Sequence, residues 1–235
     1  RAWRFAKDHR ALGLGVLGYH SFLQSNLIPL ESLKAKALNH EIFSTLKERS
    51  DTASQWCHTH LGYTSLREGF ANTTLMAIAP TKSSSFILGQ VSMGIEHIKS
   101  NYFVKDLAKV KSVYKNPFLE EELTKYELNT ATVWQSILDN DGSVQHLDFP
   151  SKETFKSFIE ISPKELILQA AQRQKFIDQS QSLNLMIHPS VSAKDINKLY
   201  LYAWEEGVKT LYYQFSQSAA QSFARDINEC VSCEG

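Results

Sequence analysis

Three short β-favouring runs, at residues 74–79, 183–187 and 208–214, are each separated from the next by far more chain than a hairpin needs. Two adjacent antiparallel strands need only a two-residue turn, whereas parallel neighbours need a crossover of about a dozen residues or more, usually a helix. The first run, Thr-Leu-Met-Ala-Ile-Ala, stops at Pro80, and the second, Leu-Asn-Leu-Met-Ile, stops just before Pro189. Short continuous apolar stretches of this kind suit buried strands. The pattern therefore predicts an α/β fold with parallel neighbouring strands and crossover helices.

Helix signals fill the intervals. A long helix is expected from about 31 to 60, after the breaker Pro29, with Leu33, Ala37, Ile42, Leu46 and Ala53 on its apolar face. Ser151-Lys-Glu-Thr and Ser162-Pro163-Lys-Glu each read as a helix start, with a cap residue and an acid in the first turn. The second of these helices is expected to reach about Gln179. Another, over 192–206, should end at Gly207 as its C-cap. Residues 1–25 read as helical but dotted with glycine, and 101–149 as polar and mixed, with a turn at Asn140-Asp141-Gly142. Arg1 and the sequence after it read as the middle of a helix, so the chain is expected to be a piece of something longer.

Composition excludes several classes. The 235 residues carry 25 basic and 25 acidic side chains with no cationic block, which argues against a nucleic-acid or membrane surface. No run of about 18 apolar residues occurs, and none is expected to span a membrane. Three cysteines do not make a disulfide framework and favour a reducing, cytoplasmic setting.

Four features carry candidate chemistry. Gly13-Leu-Gly15-Val-Leu-Gly18 fits the G-x-G-x-x-G spacing, but a dinucleotide site needs a strand before it, and the preceding residues are charged and helical. Close helix packing is the expected use of those glycines. Pro80-Thr81-Lys82-Ser83-Ser84-Ser85 follows a strand, and successive N–H groups and hydroxyls there form either an anion cradle or an ordinary helix cap. Tyr212-Tyr213 are either two strand residues on opposite faces or a pair of phenols that pass a proton and an electron between them. The second use requires stacked rings and hydrogen-bonded hydroxyls. Cys230 and Cys233, two residues from the end, have three readings: an inert tail, half of a zinc site completed by Cys57 with His58 or His60, or a dithiol for reversible exchange. The third is favoured.

The order of these motifs resembles the catalytic large subunit of class I ribonucleotide reductase. The resemblance is carried by Ala-Pro-Thr-Lys-Ser-Ser-Ser-Phe-Ile-Leu-Gly-Gln at 79–90 with Gly-Ile-Glu at 94–96, then Gln-Lys-Phe-Ile-Asp-Gln-Ser at 174–180, Gly-Val-Lys-Thr-Leu-Tyr-Tyr-Gln at 207–214, and the terminal cysteine pair. Arg-Ala-Leu-Gly-Leu-Gly-Val-Leu-Gly at 10–18 fits as well, and the serine loop is similar to phage-type members. The match spans essentially the whole chain and is weakest over 101–162.

That resemblance implies the second half of a ten-stranded α/β barrel over residues 1–215, followed by a flexible redox tail over 216–235. It implies a radical enzyme that reduces ribonucleoside diphosphates to deoxyribonucleotides for DNA synthesis. Pro80, Thr81, Lys82, Ser83 and Ser84 would hold the substrate diphosphate. Tyr212 and Tyr213 would be the last relay of a radical from the di-iron tyrosyl cofactor of the small subunit. Cys230 and Cys233 would re-reduce the active-site disulfide and be reduced in turn by thioredoxin or glutaredoxin. The roughly 16 residues between Tyr213 and Cys230 give a flexible chain an r.m.s. span of about 20–25 Å, enough to visit both a buried site and solvent. The helix over 192–206 lies where the family docks the small subunit's tail. No cofactor is expected on this segment itself, ATP and dNTP effectors belonging to a preceding nucleotide-sensing part.

The departures are specific. The family's radical cysteine, its neighbouring Asn and Glu, and its buried cysteine pair belong upstream, and Cys57 matches none of them, so it is expected to be a packing residue. His97 stands where Pro is expected after Gly-Ile-Glu. The chain is therefore expected to need a preceding half of the large subunit as a partner. Two other readings stay open: an adenosylcobalamin-dependent reductase fragment, which needs no tyrosine pair, and a non-catalytic thiol-redox or docking module.

Overall fold

A computed structural model describes residues 1–107, 110–188 and 190–216. Four extended segments lie side by side in it, all parallel. Residues 12–14 pair with 75–78 through the Leu14–Met76 bridge, and the N–H groups of Leu12 and Leu14 donate to the carbonyls of Thr74 and Leu75. Residues 75–78 pair in turn with 179–182 through the Ile78–Gln181 bridge. The same chain continues into β3 (Leu185–Met186), which pairs with β4 (Gln214–Phe215). The spatial order follows the sequence order, and the long crossovers allow every neighbouring pair to be parallel. The α/β expectation holds.

Helices α1 (Ala2–His9), α2 (Tyr19–Ser25), α3 (Leu33–Leu61), α4 (Lys82–Ile87), α5 (Pro117–Lys125), α6 (Ala131–Asp139), α7 (Pro163–Gln174) and α8 (Ala193–Glu205) account for most of the rest. Local signals set several of their ends, at Ser162-Pro163, Ser192 and Gly207 as the sequence indicates and at Ser32, which the sequence reading did not single out. The Ser32 hydroxyl accepts from the Ala35 N–H, Pro163 opens α7, the Ser192 hydroxyl accepts from the Asp195 N–H, and Gly207 follows α8 at φ 83°. One hydrophobic core lies between the parallel segments and α2, α3, α7 and α8, with Leu23, Phe43, Met76, Ile167 and Leu185 fully enclosed. Asp178 strengthens the wall on one side, its carboxylate accepting from the N–H groups of Leu75 and Met76 at 2.7 and 3.0 Å.

Several expectations need correction. The glycine-dotted start is two helices with an extended segment between them, and Gly13 and Gly15 pack against a strand rather than a helix: a Cβ on Gly15 would sit 2.3 Å from the Ala77 carbonyl oxygen. The buried stripe of α3 is Ala35, Asn39, Phe43 and Ser54; Leu33, Ala37 and Ala53 face solvent, while Ile42 and Leu46 pack at the edge of the core. The helix expected at 151 is only a 3-10 turn, Lys152–Phe155, followed by a second, Phe158–Glu160. Helix α7 stops at Gln174, because the chain must turn through 175–178 for Gln179 to donate to the Met76 carbonyl.

The stretch left unassigned at 101–149 contains an antiparallel hairpin, β1 (Tyr102–Leu107) with β2 (Val110–Lys115), as well as α5 and α6. With the 3-10 turns it encloses a second core of Leu119, Leu123, Trp134, Ile137, Val144, Phe149 and Phe155. A buried polar seam joins the two cores. Gln24 donates to the Thr154 carbonyl and accepts from Asn116, which also donates to Asn101. No helix among the described residues is long and apolar enough to cross a membrane.

Candidate functional site: a serine turn and a tyrosine pair on one wall

The serine loop is shorter than its sequence suggests. Thr81 adopts a left-handed conformation (φ 50°) and α4 begins at once, so Lys82, Ser83 and Ser84 form its first turn. The hydroxyls divide into two groups. Thr81 Oγ1 accepts from the Gly94 N–H at 2.8 Å and lies 3.1 Å from Ser85 Oγ, and Ser85 in turn donates to the Ser92 carbonyl. These two, with Ser85 fully buried, hold the turn in place. Lys82, Ser83 and Ser84 are exposed, as is Pro80. The amides of Lys82, Ser83 and Ser84 have no intrahelical acceptors, so three N–H groups, two hydroxyls and an ammonium are presented together. A cavity of about 630 Å³ lies beside the turn, lined by Lys82, Ser83, His97 and Lys99 among mainly apolar side chains.

Tyr212 and Tyr213 lead into β4. The Tyr212 N–H donates to the Leu183 carbonyl at 2.8 Å, and the Tyr213 carbonyl accepts from Leu185 at 3.0 Å. Regular strand geometry would send adjacent side chains to opposite faces. Instead the two rings meet, with centroids 4.1 Å apart and planes inclined by 51°. They are tilted rather than stacked, which corrects the stacking requirement. Both are about half exposed. The hydrogen bond that the Tyr212 hydroxyl donates to Tyr213, then the charge of Tyr213, raises the pKa of the Tyr212 phenol above the usual tyrosine value. A phenol pair in contact and joined by a hydrogen bond is suited to transfer between the rings.

Parallel register relates these features along the wall. Ile78 is level with Gln181 and Leu185 with Gln214, so Asn184 falls beside Tyr213, and the serine turn follows segment 75–78 in the same direction along the wall. That is the carboxyl end of segment 75–78, where α/β folds place ligands. The sequence reading gave Asn184 and Glu96 no role. Asn184 donates to Glu96 Oε2, and its Oδ1 accepts from the Tyr213 N–H at 3.0 Å. A lone amide inside the apolar run Leu-Asn-Leu-Met-Ile was the available signal.

Cys230 and Cys233 lie outside the described residues. Cys57 is a half-buried free thiol on α3, next to the exposed Trp56. Among the described residues no three His, Cys, Asp or Glu side chains converge as metal ligands. His97 is buried, its ring 4.5 Å from that of His20 and stacked on Phe158.

A parallel α/β wall that carries an exposed amide-rich turn and a tyrosine pair suits one side of an α/β barrel. The family model for the ribonucleotide reductase barrel domain matches residues 3–59 and 47–214, and the chain belongs to that family. The large subunit of ribonucleoside-diphosphate reductase from Invertebrate iridescent virus 6 is 39% identical over 243 residues, covering 99% of this chain and 25% of that protein. The corresponding subunit of Invertebrate iridescent virus 3 is 34% identical, covering all of this chain and 40% of that protein. Among solved structures, the class Id ribonucleotide reductase alpha subunit of Actinobacillus ureae superimposes with a TM-score of 0.85 at 53% identity, over 93% of this chain and 41% of that one. The chain thus spans less than half the length of each of these relatives.

Proposed function

We propose that this chain supplies the substrate-phosphate turn and the radical relay of a ribonucleoside-diphosphate reductase large subunit, working with a preceding part of the same subunit. The observation that carries the reading is the contact of Tyr212 with Tyr213 in a chain of the reductase barrel family. The amides and hydroxyls of Ser83 and Ser84, with the Lys82 ammonium, would bind a diphosphate by charge-assisted hydrogen bonds. Thr81 would shape the turn rather than bind, since its hydroxyl is already engaged.

In this reading Tyr212 and Tyr213 would pass a radical into the barrel, and a di-iron tyrosyl cofactor of the small subunit would supply it. Each step moves one electron and one proton between phenols. A cysteine pair in the preceding half then gives two electrons to the ribose as its 2′-hydroxyl leaves as water, and closes to a disulfide. Cys230 and Cys233 would return it to the dithiol, to be reduced in turn by thioredoxin or glutaredoxin. The setting would be cytoplasmic, with ATP and dNTP effectors bound by the preceding part.

Reconstitution with that preceding part, a small subunit, effectors and a reductant tests the proposal. Deoxyribonucleoside diphosphate should form, and Tyr212→Phe or Tyr213→Phe should abolish turnover while leaving diphosphate binding within about twofold. A complete mixture that makes no product rejects the reading. Near-normal turnover of either Phe variant rejects the relay and favours chemistry that needs no tyrosine pair.

A further inference from the structure

We propose that Glu96 is a positioning residue for the tyrosine pair, holding Tyr213 through Asn184 and tying it to the serine turn; this rests on the relay reading of Tyr212 and Tyr213. Glu96 sits at the end of a tight turn, its N–H donating to the Met93 carbonyl at 2.7 Å. That turn cannot drift from the serine loop. Gly94 donates to Thr81 Oγ1, and a Cβ on Gly94 would lie 2.8 Å from the Ala79 carbonyl oxygen at a backbone φ of +51°. The Glu96 side chain is only 8% exposed.

From this anchor the carboxylate reaches the tyrosines by two routes. On one side Oε2 accepts from Asn184 Nδ2, and Asn184 Oδ1 accepts from the Tyr213 N–H. A carboxylate only accepts, whereas an amide donates at one end and accepts at the other. Glu96 therefore fixes which way the Asn184 amide faces. Without it, the amide is free to turn over and set its NH₂ against the Tyr213 N–H, donor against donor. On the other side Oε1 makes no hydrogen bond, and its nearest cation is Lys99 Nζ at 3.7 Å. That ammonium also lies 3.8 Å from the centroid of Phe215, two residues beyond Tyr213. Glu96 thus braces the segment 213–215 at both ends, from a turn pinned to the loop assigned to the diphosphate.

The test uses the reconstituted large subunit with Glu96→Ala and Glu96→Gln, and 3-fluorotyrosine at position 212 read by ¹⁹F NMR across pH. Glu96→Ala should lower kcat about ten- to a hundredfold, the scale on which small misplacements of reacting groups act, with KM for the diphosphate within about twofold. In the same variant the phenol at 212 should titrate at lower pH than in the parent, because its partner has moved. Glu96→Gln keeps an acceptor oxygen for Asn184 and should restore most of both properties, which a generic packing role does not require. If Glu96→Ala does not fold, Asn184→Ala cuts the same link from the other side and the same readouts apply. Parent-like kcat, or an unchanged ¹⁹F titration, in a folded variant lacking the link would overturn the proposal. Should the parent mixture reduce no diphosphate, the relay reading fails on its own account, and the titration still decides whether Glu96 sets the geometry of the pair.

Discussion

His20 and His97 show what burial does to single residues. Both are enclosed, and the His20 Nδ1 accepts from the Ile98 N–H at 3.1 Å, while His97 Nε2 has no hydrogen-bond partner. Burial pulls the His20 pKa down to about 3. Burial, then the charges of His20 and Arg173, hold that of His97 well below the ordinary histidine range. Both are therefore neutral in the folded chain, while unfolding lets them protonate. Their contribution to stability is complete above about pH 6.5 and is lost as pH falls through that value toward the folded pKa. Each should steepen the loss by about 1 kcal/mol per pH unit. Urea denaturation between pH 6.5 and 5, above the range in which carboxylates titrate, should show this slope. His97→Phe should roughly halve it, because the ring that stacks on Phe158 is kept and the titrating nitrogens are removed. An unchanged slope would place the acid sensitivity elsewhere.

At the scale of elements, most local signals held, the exception being Ser151-Lys-Glu-Thr, which makes only a 3-10 turn. The starts at Ser162-Pro163 and Ser192 and the stop at Gly207 depend on a few neighbouring residues, and the structure starts or ends helices there. What depended on a distant partner was misread. The stripe of α3 turned because Asn39, a polar residue, takes a core position where it donates to the Gln169 carbonyl and to Gln172, and an apolar pattern does not reveal that. The glycines at 13 and 15 were assigned to a helix interface because nothing in their own neighbourhood names Ala77 as their contact. That contact has a measurable consequence. A Cβ on Gly15 would meet backbone, the Ala77 oxygen at 2.3 Å, whereas one on Gly13 would meet the Ala77 Cβ at 3.2 Å. Gly15→Ala should push the first two parallel segments apart and cost about 2–3 kcal/mol, within the range of overpacked sites, while Gly13→Ala costs under about 1 kcal/mol. Urea midpoints compare the two, and equal losses would argue against a close approach at Gly15.

Across the whole molecule, the parallel direction of the later three segments was legible because their long crossovers suit it, the segment at 12–14 was read as helical instead, and the serine turn and the tyrosine pair were legible as strings. Their union was not, since it depends on Glu96 and Asn184, one in a turn and one just before β3, 88 positions apart. The same is true of the polar centre that joins the layers. Arg173 on α7 is buried with no carboxylate among its hydrogen-bond partners; Nε donates to Gln181 Oε1 at 2.7 Å and Nη1 to Asn39 Oδ1 at 3.1 Å. Burial lowers its pKa to about 10, which still leaves it charged near neutrality. Gln181 continues the network to the Ala170 carbonyl and Gln174, so one guanidinium links α3, α7 and the wall segment at 179–182. Asn39→Leu should cost about 3 kcal/mol by leaving part of a buried charge unmatched, and Arg173→Met a similar amount by leaving two acceptors unmatched. The two losses share one cause, since either change breaks the same Asn39–Arg173 bond. The double variant should therefore be more stable than the sum of the single losses allows, by at least about 1 kcal/mol. A double-mutant cycle measured by urea denaturation decides it: additivity within about 0.5 kcal/mol would mean that α3 and the wall are held by separate contacts rather than through Arg173.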